Sequence, residues 1–247
     1  MRILITSDPH FDYNQQYIDG SVLDACLNFL EEKKPDYFII AGDIASGAHV
    51  TIPIINALNT VVPTLWVPGN HDMWTEEWSS WMDYRQAEVH PTCLCGKPKV
   101  LGDHVVIGDM GWYDYTFGSA RINPEQFKYL KRKLWNDDQF CKWNDWSDPK
   151  ISDYMIEKLE EQIKQFPDKK IIFVTHTVPY KNFLSYIDAD SPVTDGYMGS
   201  KKMGEMIDRY SNIEYVVFGH THKRFGMVEF GDKKVICSPI GYERCVS

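Results

Sequence analysis

No apolar run in the sequence approaches the roughly 20 residues that a membrane-spanning helix needs, so an integral membrane protein is not expected. A signal peptide is also missing: Met1-Arg2 leads straight into Ile3-Leu4-Ile5, too short for an apolar h-region. Cysteine is sparse and scattered, at Cys26, Cys93, Cys95, Cys141, Cys237 and Cys245. A chain of this length does not need disulfide staples, so reduced thiols and a cytoplasmic location are expected. Cys93-Leu94-Cys95 is the one close pair; without the two-residue spacer of a zinc knuckle it argues little for metal. Positive charge is in deficit, 26 Lys and Arg against 35 Asp and Glu, for a net charge of -9 at pH 7. That disfavours long nucleic acid or an anionic membrane as partner, although a bound metal reverses the sign locally. There is no internal repeat, low-complexity tract or linker, and residues 1–247 read as a single domain.

What is present first is alternation. Arg2 to Thr6 reads as a buried strand, and Val22, Leu23, Cys26, Leu27 and Leu30 follow at helical spacing. Tyr37 to Ala41 is a second strand, Thr51 to Asn59 a short helix and Thr64 to Val67 a third strand. This order is the signature of parallel βαβ units. Trp74 to Arg85 is expected to be helical, from Trp74, Trp78, Trp81 and Met82 at i, i+4, i+7 and i+8. Beyond it, Pro98–Leu101 and Val105–Asp109 predict a hairpin, and helices are expected over Pro124–Leu134, Glu157–Gln165 and Met203–Tyr210. Strands are expected over Ile171–Val174 and Tyr215–Phe218, with a closing hairpin from Arg224 to Ser238. Two strand-rich halves with helices outside suggest two sheets packed face to face.

The chemistry sits at the strand ends. Val67-Pro68-Gly69-Asn70-His71-Asp72 carries three polar residues on a loop just past a strand, where open α/β sheets bind ligands. Four further strand ends deliver Asp8 with His10, Asp43, His176, and His220 with His222. Alternate residues of an extended segment point the same way, so Asp8 and His10 can share a site, as can His220 and His222. Five of the eight histidines fall at these positions; His49, His90 and His104 read as surface or packing residues. Imidazole with carboxylate suits zinc, iron or manganese. There are too many ligands for one ion, and two ions need a bridging group, for which a carboxylate is the natural choice.

Asp8-Pro9-His10, Gly42-Asp43, Gly69-Asn70-His71-Asp72, His176 and Gly219-His220-Thr221-His222 together resemble the motif set of the calcineurin-like metallophosphoesterases. The resemblance implies an α/β fold, a four-layer α/β/β/α sandwich of two mixed sheets, with two divalent or mixed-valence transition-metal ions (Mn, Fe or Zn) at one edge. It implies Asp8, His10, Asp43 and His222 around one ion, and Asp43, Asn70, His176 and His220 around the other, with Asp43 bridging. His71 is implied as general acid or transition-state donor, and Asp72 as its helper or a brace for its loop. The activity implied is hydrolysis of a phosphoester by a metal-bridging hydroxide, on a small substrate, with a phosphodiester or nucleotide favoured over a monoester because no dedicated basic cluster is visible. A phosphomonoesterase, or a non-catalytic binding or scaffold protein on the same fold, is the alternative, and the oligomeric state is not legible. The further Asp and Arg of the Ser/Thr protein phosphatases are absent, since Gly42-Asp43 continues as Ile44-Ala45-Ser46-Gly47.

The stretch from Gly111 to about Asp148 fits no simple βα unit and is rich in aromatic residues, among them Trp112, Tyr113, Tyr115 and Phe117. Long irregular insertions are often lids or binding loops, so a cap over residues 111–150 is expected, with Trp112 and Tyr113 stacking on substrate and Arg121 reaching a phosphate. Packing in the core is the competing reading of the same tryptophans.

Overall fold

The structure is a computed structural model and describes residues 1–75, 78–184 and 191–242, with the backbone alone at residue 191. Cys245 lies outside the described residues. Strands β1 (Ile3–Thr6), β2 (Tyr37–Ala41) and β3 (Thr64–Val67) form one sheet in that order, parallel throughout. The runs Tyr37–Ala41 and Thr64–Val67 are continuously apolar or buried, as strands covered on both faces must be. A short helix α1 (Phe11–Asn14) and the crossover helices α2 (Val22–Lys33) and α3 (Ala48–Asn59) return the chain between these strands.

After α4 (Ser80–Val89), the second sheet collects β4 (Lys99–Leu101), β5 (His104–Gly108), β6 (Lys170–Val174), β7 (Ile213–Val217), β8 (Gly226–Phe230) and β9 (Lys233–Cys237). Its order is β4-β5-β6-β7-β9-β8, with antiparallel hairpins at both edges and parallel pairing between them. The remaining helices are α5 (Pro124–Leu134), α6 (Asp137–Phe140), α7 (Asp148–Lys164), α8 (Ser191–Thr194) and α9 (Lys201–Asp208). None of the described helices is long and apolar enough to cross a membrane.

The side-chain alternation of the strands sorts the core into layers. Ile39, Ala41, Leu65, Val67, Val106, Ile172, Val174 and Val217 meet between the two sheets. Their neighbours point outward: Phe38, Ile40 and Trp66 pack with Leu30, Ile55 and Leu58 of α2 and α3. Val105, Ile107, Ile171, Phe173 and Val216 pack with Leu159 and Ile163 of α7 and Met203, Met206 and Ile207 of α9. The expected α/β fold with two sheets between helical layers is therefore present. The close cysteine pair has a structural place in it: Cys93 pairs its backbone with Trp66 and Cys95 with Gly108, so this buried segment ties one sheet to the other.

Four helices differ from the expected bounds: α3 starts three residues early at Ala48 and α9 runs Lys201–Asp208, and the other two are displaced further. The helix predicted from Trp74 begins only at Ser80, because Ser79 accepts from the Trp81 N–H and caps it. Trp74 instead stacks on His71, at 3.7 Å between ring centroids, so its place in the tryptophan spacing reflects the site rather than a helix. The helix predicted from Glu157 begins at Asp148, with Pro149 in its first turn, where the missing N–H costs nothing.

Candidate metal centre

The parallel strands of both sheets end at one edge, and the loops there hold the candidate ligands in unusual backbone conformations. Among the described residues eight non-glycine positions have positive φ, and five are Asp8 (51°), His10 (40°), Asp43 (53°), His220 (70°) and His222 (51°). Left-handed backbone at non-glycine residues costs energy and gathers at functional sites. Hydrogen bonds between loops hold these turns, from Asp8 N–H to the Gly42 carbonyl (2.9 Å) and from His10 N–H to the Asp43 carbonyl (3.0 Å). Two glycines admit the side chains: a Cβ at Gly42 would collide with the His176 ring, and one at Gly69 with the Asp43 carboxylate.

Two groups of ligand atoms result, Asp8, His10, Asp43 and His222 in one and Asp43, His176 and His220 in the other, the atoms of each lying within 4.8 Å of one another. Asp43 is common to both. Its Oδ2 is 3.7 Å from His10 Nε2 and 3.3 Å from His176 Nε2, and His222 Nε2 is 3.4 Å from Asp8 Oδ1. Asn70 joins the second group through Oδ1, 3.0 Å from His176 Nε2. The seven residues predicted as ligands are thus brought together.

The donor set suits cations. His10 and His222 face each other Nε2 to Nε2 at 3.0 Å. Burial pushes His10 down to about 3, so the ring is neutral at pH 7. Asp8 Oδ2 is buried with no hydrogen-bond partner among the described residues. His176 Nδ1 lies 2.9 Å from the Ala41 carbonyl and donates to it, which turns Nε2 toward Asp43 and Asn70. Burial lowers His176, yet the Asp43 carboxylate outweighs it and lifts the ring to about 9, a proton standing where a cation would balance the charge. Burial works to raise Asp43, but His176, His71 and His10 hold its carboxyl well below the usual range. Burial and the neighbouring His176 push His220 down to about 4. Lone pairs and carboxylate oxygens converging with too few protons to share are what divalent transition metals satisfy.

His71 and Asp72 part company. His71 lines the open cavity beside the ligands, its Nε2 4.0 Å from Asp43 Oδ2 and its ring between Trp74 and the edge of His10. Asp72 is wholly buried and does not line the cavity. It accepts from the N–H groups of Ile44 (3.1 Å), Ala45 (3.2 Å) and Gly69 (2.7 Å) and from the Thr51 hydroxyl. It braces the Asp43 loop against the Asn70 loop, so of the two roles expected for it the geometry fits the brace, and the expectation of a catalytic helper to His71 is corrected. Burial and the Asp43 charge raise its carboxyl to about 7.

The cavity over the ligands has a volume of about 520 Å³. Tyr13, Tyr17, Trp74, Trp135 and Tyr242 form its aromatic wall, and no Lys or Arg is among its described lining residues. Trp112 and Tyr113 are wholly buried and do not reach it, and exposed Arg121 lies elsewhere. The expected substrate contacts at these three positions are corrected. Trp112 donates to Asp148 (2.7 Å), Tyr113 stacks on Trp112, and both belong to the core under the first sheet.

The 111–150 stretch does reach the cavity, through Leu134, Trp135, Asn136 and Asp137. Asp137 is the residue that sequence reasoning missed. Its buried carboxylate accepts from Asn70 Nδ2 (2.9 Å), Trp74 Nε1 (2.8 Å), Trp135 Nε1 (2.9 Å) and the Tyr113 hydroxyl (3.2 Å). By taking the amide protons of Asn70 it turns Asn70 Oδ1 toward His176. Nothing in the sequence separates Asp137 from its neighbour Asp138.

Comparison with known proteins agrees with this geometry. The nuclease SbcCD of Staphylococcus saprophyticus has a component that is 24% identical over 251 residues, covering 92% of this chain and 58% of that component. A probable glycerophosphodiester phosphodiesterase GpdQ of Arcobacter nitrofigilis is 28% identical over 65 residues, 26% of this chain and 22% of that protein. The chain thus spans less than two thirds of the length of either relative. The crystal structure of phosphopantetheinyl hydrolase (PptH) from Mycobacterium tuberculosis shares the fold, with a TM-score of 0.79 at 17% identity over 99% of this chain and 90% of that one. A family model for calcineurin-like phosphoesterases matches residues 1–224, a span that holds every strand-end motif described above. On that match the chain belongs to the calcineurin-like phosphoesterase family.

Proposed function

We propose that the protein is a dinuclear metal-dependent hydrolase of small phosphodiesters, nucleotide-containing ones included. Asp8, His10, Asp43 and His222 would hold one ion and Asp43, Asn70, His176 and His220 the other, with Mn, Fe or Zn suited to the imidazole and carboxylate donors. When bound, the two ions supply Lewis-acid neutralisation of phosphate charge and lower the pKa of water to near neutrality. The chain supplies the rest. Asp43 holds the two halves of the centre in register. Asp72 fixes the loops that carry Asp43 and Asn70. His71, its ring set by Trp74, donates a proton to the departing alkoxide at the cavity side of the centre. Burial lowers the His71 pKa below its ordinary value, and the Asp43 and Asp137 carboxylates only partly oppose that fall, so the protonated ring that donates is favoured toward acid pH.

The observation that carries the diester reading is the cavity wall. Among its described lining residues it has Asp43 and Asp137 but no Lys or Arg. A doubly charged monoester would depend on the ions alone for its second charge, whereas a diester brings one. The same wall and the net charge of -9 support a small substrate over long nucleic acid. The test is a comparison of bis-p-nitrophenyl phosphate with p-nitrophenyl phosphate on metal-reconstituted protein. The diester is expected to have the higher kcat/KM; a strong preference for the monoester would contradict the reading.

A further inference from the structure

A second cavity, of about 590 Å³, lies against the first and is lined by Tyr13, Ser46, His49, Trp74, Thr75, Trp78 and Phe140. Tyr13 and Trp74 line both cavities, so the two share an aromatic wall. That wall is tied to the chemistry. Trp74 stacks on His71 at 3.7 Å and on Phe140 at 4.8 Å, and Tyr13 meets His71 edge-on at 5.8 Å. A group departing with a proton from His71 therefore leaves beside Trp74.

The two cavities differ in chemistry. The first holds carboxylates and the candidate ligands. The second has four aromatic side chains, the Ser46 and Thr75 hydroxyls and the His49 imidazole, and no Lys, Arg, Asp or Glu among its described lining residues. Such walls suit a neutral, planar group with a few hydrogen-bonding edges rather than a second phosphate. Trp78 stands at 41% exposure with its Nε1 donating to Asp83 (3.2 Å), so one large ring is held in place while still partly open to solvent. A flexible aliphatic chain would gain little from fixed ring faces, whereas every nucleobase has a π-face to stack on them. The volume is that of an ordinary small-molecule site.

We propose that this second cavity is a leaving-group subsite that takes a nucleoside, with Trp78 and Phe140 providing the stacking faces and Ser46, Thr75 and His49 the polar edges. The proposal rests on the phosphodiesterase reading above, and its test has two arms that keep the two apart. In the first, adenosine alone is titrated into the metal-free 247-residue chain and tryptophan fluorescence is read. Saturable quenching is expected, about tenfold weaker in Trp78→Ala, the size of one base–aromatic stack. In the second, metal-reconstituted protein is compared on a dinucleoside monophosphate and on a glycerophosphodiester with an aliphatic alcohol. Trp78→Ala is expected to lower the ratio of the two kcat/KM values about tenfold, through KM for the nucleoside substrate. Met82→Ala, exposed on α4 and lining neither cavity, is expected to leave that ratio alone. Adenosine that fails to bind at millimolar concentration, or that binds Trp78→Ala equally well, would overturn the subsite. Failure to turn over any phosphoester would overturn the proposed function, and the adenosine arm would still decide the subsite.

Discussion

His71 and Asp72 are adjacent in sequence and do unlike work, and the difference is one of burial. His71 faces the cavity next to Asp43, while Asp72 spends its oxygens on three backbone N–H groups and the Thr51 hydroxyl. If His71 is the proton donor, its replacement is selective. His71→Gln should keep the metals and lose about 10²–10⁴ in rate on diesters with poor leaving groups. On p-nitrophenyl esters, whose leaving group needs little protonation, the loss should be smaller. Steady-state kinetics on both substrate types checks this, and equal losses would assign His71 to phosphate positioning. The ligand residues were legible because each strand-end motif carries its own residue type at fixed spacing. Asp137 was not, because its importance comes from four donors that reach it from Asn70, Trp74, Tyr113 and Trp135, three of them distant in the chain.

The insertion between β5 and β6 shows where sequence patterns stop. Its helix α5 was readable over Pro124–Leu134, and the structure closes its start with an Asn123–Gln126 capping box and a proline in the first turn. Which aromatic rings face substrate was not readable, because core and interface tryptophans look alike in sequence. Trp112 turned inward because Asp148 offers it a buried acceptor, beside Lys131 and the Tyr115 hydroxyl. Two substitutions within this one segment should therefore separate. Trp112→Ala empties a fully buried site and should cost about 3–5 kcal/mol in a denaturation experiment, with the relative preference among substrates unchanged. Asp137→Asn keeps the size but removes the charge and one of two acceptor oxygens. It should weaken metal affinity roughly 10–100-fold, as loss of a ligand's orienting partner does, with a small change in melting temperature. Competition with a metal chelator reads the affinity directly.

Across the whole molecule, the candidate centre joins the two sheets. Asp8, Asp43 and Asn70 follow strands of the three-stranded sheet, while His176 and His220 follow strands of the six-stranded one. The face-to-face arrangement was legible from two strand-rich halves with helical stretches between their strands. The bracing between layers was not, because it depends on pairings such as His220 N–H to Asp8 Oδ1 (2.9 Å) across 212 residues of chain. Asp43 is the point where both halves meet, within 4.0 Å of His10, His71 and His176. The most direct measurement is therefore metal content by mass spectrometry of elements, on wild type and Asp43→Asn, after reconstitution and removal of free metal. Wild type should hold two ions per chain, and Asp43→Asn, with one full negative charge removed from between them, should lose occupancy at both. A variant that retains both ions, or a wild type that binds none, would contradict a dinuclear centre bridged by Asp43.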